Sequence, residues 1–85
     1  MPKSVFSRAY KLFLKEFRSA RANAGTQEQA ASRIGQTQTF VSKCERGERR
    51  IDVIELIAFC NAFGIDPSEF IKSVHVKVGK SARIL

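Results

Sequence analysis

Residues 26–47 read Thr26-Gln27-Glu28-Gln29-Ala30-Ala31-Ser32-Arg33-Ile34-Gly35-Gln36-Thr37-Gln38-Thr39-Phe40-Val41-Ser42-Lys43-Cys44-Glu45-Arg46-Gly47, and two short helices are legible in them. Thr26 is placed to cap the first, with Gln29 at capping-box spacing. There the cap hydroxyl takes the Gln29 backbone N–H while the Gln29 side chain reaches back to the cap. Ala30, Ala31 and Ile34 share one face, and Gly35 ends the helix. Thr37 caps a second helix from Gln38 to about Arg46, with Val41 and Cys44 inward and Gly47 as the stop. Small Ala31 lets the two helices approach, while Ile34, Val41 and Cys44 lock the pair onto a core. The N-terminal half of the second helix then protrudes, as a helix entering a DNA major groove must. Its expected outward positions are Gln38, Thr39, Ser42 and Lys43, with Phe40 at the edge. Gln pairs with adenine N6 and N7, Lys donates to guanine, and Thr meets a thymine methyl or a phosphate.

The flanking sequence supplies the rest of a helical domain. Upstream, Phe6, Tyr10, Phe13, Phe17 and Ala20 recur at steps of three and four, widened by Leu12 and Leu14. That stripe predicts a long helix from a cap at Ser4 to a stop at Gly25, with its aromatic side as core. Downstream, Glu48-Arg49-Arg50-Ile51 is a basic connection. Asp52 and Glu55 form a second capping box, and Val53, Leu56, Ile57, Cys60 and Phe63 carry the core period of a fourth helix to Gly64. Asp66-Pro67-Ser68-Glu69 opens a fifth helix, expected to run to about Lys72. Val74, Val76 and Val78 then alternate with His75 and Lys77, the period of a strand. A lone strand cannot stand by itself. The expectation is therefore an all-α, five-helix DNA-binding domain over residues 1–72, followed by a tail over 73–85 that either pairs with a second subunit or is disordered.

Charge narrows the partners. The chain of 85 residues has a net charge of +7, distributed unevenly. Residues 1–25 hold six bases against Glu16, and 51–71 hold four acids and no base. Such asymmetry offers one face to a polyanion, nucleic acid before an anionic membrane surface. No apolar run approaches the ~18–20 residues of a membrane span, and the charged start at Met1-Pro2-Lys3-Ser4 is not expected to be a signal peptide. Cys44 and Cys60, each inside an apolar-periodic segment, are expected as reduced core thiols of a cytoplasmic protein. One histidine, His75, and two separated cysteines make no zinc set and no nucleophile–base pair, so neither an enzyme nor a cofactor is expected.

Thr26-Gln27, Ala30-Ala31, Ile34-Gly35, Thr37-Gln38 and Phe40-Val41-Ser42-Lys43, through Glu45-Arg46-Gly47, resemble the helix-turn-helix of the phage repressor and Cro class, the Xre-like regulators. The resemblance extends over roughly residues 10–71, ending on Gly64-Ile65-Asp66-Pro67-Ser68-Glu69-Phe70. It implies a lambda-repressor-like domain in which Gln27 bonds a phosphate and braces Gln38. Gln38, Thr39, Ser42 and Lys43 would then read bases, Thr37, Arg46, Arg49 and Arg50 would meet phosphates, and Arg21 would pair with Glu45 as a structural ion pair. Two positions depart from the family pattern: Gly25 abuts Thr26 directly, and Gln36 stands where the turn usually has an apolar residue. Either Thr-Gln pair alone is as readily a set of helix caps, and a basic loop alone is commonly just solvated. Their conjunction, with Gln27 and Gln38 eleven residues apart, favours a groove reader. The resulting expectation is a sequence-specific regulator of double-stranded DNA, a repressor, working as a homodimer on a palindromic operator. An antitoxin-type or other protein-interaction module of the same fold is the alternative.

Overall fold

Helix α1 (Arg8–Ala24) begins where Ser7 turns its hydroxyl to accept the Tyr10 N–H at 3.1 Å. The cap is thus Ser7 and not Ser4. The computed structural model describes residues 7–79, and Ser4 and Phe6 lie outside the described residues. Tyr10, Leu14 and Phe17 are buried along one side of α1, with Phe13 and Ala20 half-buried beside them. The chain then turns through Gly25, at φ 144, where an added Cβ would collide with Gln29 Oε1 as that side chain folds back to the Thr26 N–H. Only glycine therefore permits the one-residue step from α1 into the capping box of α2 (Gln27–Ile34).

Gly35 makes the next turn in the left-handed region (φ 71, ψ 32), and the Gln36 N–H closes it on Ala31 O at 2.9 Å. Thr37 caps α3 (Gln38–Glu45) by accepting the Phe40 N–H at 3.1 Å. Asp52 and Glu55 cap α4 (Val53–Phe63) reciprocally, as their spacing predicts. Asp66 and Pro67 open α5 (Pro67–Val78).

The core sits among all five helices. Phe17 of α1 and Phe59 of α4 are both fully buried and meet edge-on, ring centroids 4.8 Å apart, with Phe63 packed against Phe17 at 5.4 Å. Val41 and Cys44 of α3 and Ala30 and Ala31 of α2 close the other side. Both cysteines are free and buried, and burial pushes each thiol above its ordinary pKa, so they pack as small apolar groups.

Two sequence expectations fail here. The alternation Val74, Val76, Val78 belongs to α5, which continues through Val78 as helix. Valines four apart satisfy a helical period as well as an alternating one, and Phe70, Val74 and Val78 lie on one helical face. Phe70 and Val78 are buried, and Val76 is left 82% exposed. The remainder of the expected tail, 80–85, lies outside the described residues. In α4, Val53 and Ile57 face outward, 67% and 41% exposed, and Phe59 takes the inward position. The helix is apolar nearly all round, so periodicity cannot orient it. Seating the largest side chain against Phe17 can.

Candidate nucleic-acid interface

The exposed end of α3 is held by a line of polar contacts that starts in the interior. Glu45, at the last turn of α3, is only 3% exposed. Arg21 of α1 grips it with both arms, Nε donating to Oε2 at 2.8 Å and Nη2 to Oε1 at 3.2 Å. The hydrogen bond to Glu45 holds the Arg21 guanidinium above its ordinary pKa. Gln27 Nε2 also donates to Glu45 Oε1, at 3.0 Å, and Gln27 Oε1 accepts from Gln38 Nε2 at 3.3 Å. Arg21, Glu45, Gln27 and Gln38 therefore form one connected chain from α1 through α3 and α2 to the first residue of α3. Because a buried carboxylate is costly unless paired and hydrogen-bonded, this geometry fixes Gln27, and Gln27 fixes Gln38. Gln38 keeps its carbonyl oxygen and its second amide hydrogen, the donor–acceptor pair that bidentate contact with adenine uses.

Thr39 and Lys43 stand exposed beside Gln38. Ser42 is half-buried, and its hydroxyl accepts from Arg46 Nη1. Thr37 spends its oxygen on the helix cap and retains a hydroxyl proton to donate.

The loop after α3 is braced at every arginine. Arg46 Nε meets Glu48 Oε2 at 2.6 Å, which holds the Glu48 carboxyl below its ordinary range. Arg49 lies over the Phe40 ring at 4.7 Å and forks onto Glu55, at 2.8 and 2.7 Å, drawing the Glu55 carboxyl down. Arg50 lies 4.2 Å over the Tyr10 ring, while the Tyr10 hydroxyl accepts the Ile51 N–H at 3.0 Å. The loop is thus tied to α1 and to the start of α4. Sequence reasoning missed these tethers. Tyr10 was legible only as core, Arg49 and Glu55 face each other across a loop, and Arg18, whose Nη1 donates to Glu45 O at 2.8 Å, looked like one more surface base.

The helix-turn-helix family model matches residues 15–70. The chain belongs to the Xre-like helix-turn-helix family. This family is one of DNA-binding transcription regulators and is not typically enzymatic. Among solved structures, an XRE-family like protein from Pseudomonas syringae pv. tomato str. DC3000 is similar at 39% identity and a TM-score of 0.79, over 88% of this chain and 93% of that one. No curated protein matches the sequence. Among the described residues no group of His, Cys, Asp and Glu could hold a metal ion, and no helix is long and apolar enough to cross a membrane.

Proposed function

We propose that this helix-turn-helix protein is a sequence-specific repressor that reads the major groove of double-stranded DNA with α3. The observation that carries the reading is the Arg21–Glu45–Gln27–Gln38 chain. It spends a buried ion pair on orienting one exposed amide at the tip of a protruding helix. In this reading Gln38, Thr39, Ser42 and Lys43 read bases. Gln27, Thr37, Arg46, Arg49 and Arg50 meet the flanking phosphates, which position the domain and make its affinity salt-dependent. One domain reads few base pairs, so it works as a homodimer on a palindrome with half-sites ~34–36 Å apart or a multiple of that.

Val53, Ile54 and Ile57 leave an apolar face on α4, at 67%, 70% and 41% exposure. That face supports a protein contact, either the dimer's own or, in the second reading, that of an antitoxin-type module bound to another protein. Selection from a pool of random duplexes, sequencing the bound fraction, tests the proposal. The expected result is an enriched palindrome. Salt-sensitive binding that enriches no sequence overturns specific readout, and no binding overturns the DNA reading altogether.

A further inference from the structure

Apart from the bond of Arg18 to Glu45 O, the outer face of α1 takes no part in the site above, yet its bases form a row of one sign. Arg8, Lys11, Lys15 and Arg18 fall on one helical face at steps of three and four, and with Leu12 they line a shallow surface groove. No acid lines that groove, and Glu16, on the flank beside Lys15, faces Lys77 at 4.0 Å. Neighbouring like charges at these spacings destabilise a helix. Arg8 and Lys11 also crowd the positive end of the α1 dipole, whose first turn holds no acidic residue. A helix kept only for packing and solubility gains by interspersing glutamates here, as α5 does with Glu69 and Lys72, 3.9 Å apart.

The groove is continuous with the interface. Arg18, at one end, donates to Glu45 O where α3 gives way to the 46–50 loop, and Arg50 of that loop rests on Tyr10 of α1. We propose that Arg8, Lys11, Lys15 and Arg18 form a second phosphate track, which carries the DNA backbone away from the 46–50 loop along α1. The occupant is duplex nucleic acid, by charge complementarity and by this continuity. The inference rests on the DNA reading of α3 and extends the footprint beyond the groove-reading helix.

The test is the dependence of affinity on salt, measured with a pool of random-sequence duplexes. Three proteins are compared: wild type, Lys11→Gln/Lys15→Gln, and Lys72→Gln, which removes a charge from the outer face of α5. Each phosphate contact contributes roughly 0.9 to the slope of log affinity against log salt. The double variant should therefore lose about 1.8 of slope, while Lys72→Gln stays near wild type. Thermal melting of the double variant should be unchanged or higher, because like-charge repulsion is relieved. A double variant with the wild-type slope overturns the track and leaves the α3 reading standing. Wild type that binds no duplex overturns both. An undiminished slope together with lost binding to phosphatidylserine vesicles would reassign the stripe to a membrane surface.

Discussion

Arg21→Met removes the partner of Glu45 while keeping most of the aliphatic stem. It leaves a carboxylate that is 3% exposed, with only Gln27 Nε2 still donating to its side chain. Breaking a buried pair on one side costs about 3–5 kcal/mol. The Arg21 side chain is itself 20% exposed, so water can reach part of the vacated space, and the lower end, about 3 kcal/mol, applies. For a domain of this size that is a fall in Tm of roughly 12–24 °C, at about 4–8 °C per kcal/mol. Circular dichroism melting measures it. Adding Glu45→Leu removes the stranded charge, and most of the lost Tm should return, since apolar replacement of a buried pair is often neutral. Sequence discrimination should not return, because Gln27 has lost the carboxylate that orients it and Gln38 has lost its brace. Stability and specificity thus separate in the double variant. A fall of less than about 4 °C for Arg21→Met would make the pair no stronger than an exposed one. A double variant as specific as wild type would falsify the role of Glu45 in aiming Gln38.

Other perturbations probe other parts of the molecule. Gln38→Ala should lose about 1–3 kcal/mol of discrimination at one base step, read by competition between single-base operator variants; equal weakening on operator and random DNA would contradict base reading. The Glu55 carboxyl is held below its ordinary pKa by Arg49, so the stability it adds is present above the unfolded value and is lost as pH falls through the folded one. Arg49→Gln should therefore flatten the acid side of the Tm–pH curve below about pH 4.5, and an unchanged curve would remove the pair from the stability of the loop. Gly35→Ala meets no neighbouring atom but forces a Cβ into the left-handed region, and it should cost about 1–2 kcal/mol in denaturant unfolding. No loss there would mean that the turn relaxes.

What could be read from the sequence was what local chemistry determines. Thr26 with Gln29, Asp52 with Glu55, and Asp66 with Pro67 announce helix starts because cap and partner are three residues apart or fewer. Gly35 and Gly64 mark helix ends for the same reason. The fold followed from those boundaries and the aromatic stripe of α1. Illegible features were of two kinds. Some had patterns that two structures share: the valines of α5 suit either period, and α4 is too apolar for its pattern to choose a face. Others join residues far apart in the chain. Gln27 lies 18 residues from Glu45, and Tyr10 lies 41 from the Ile51 N–H it receives. The Arg21–Glu45 pairing was reached through family likeness and by no spacing rule, and the tethers of Arg49 and Arg50 had no signal at all.

The most direct test of where DNA sits is an amide chemical-shift titration of labelled protein with an enriched duplex. The largest changes are expected at Gln27, over residues 37–43 and through the 46–50 loop, with weaker ones along Arg8, Lys11 and Lys15. Changes concentrated on the outward face of α4, at Val53, Ile54 and Ile57, with α3 undisturbed, would contradict groove reading by α3.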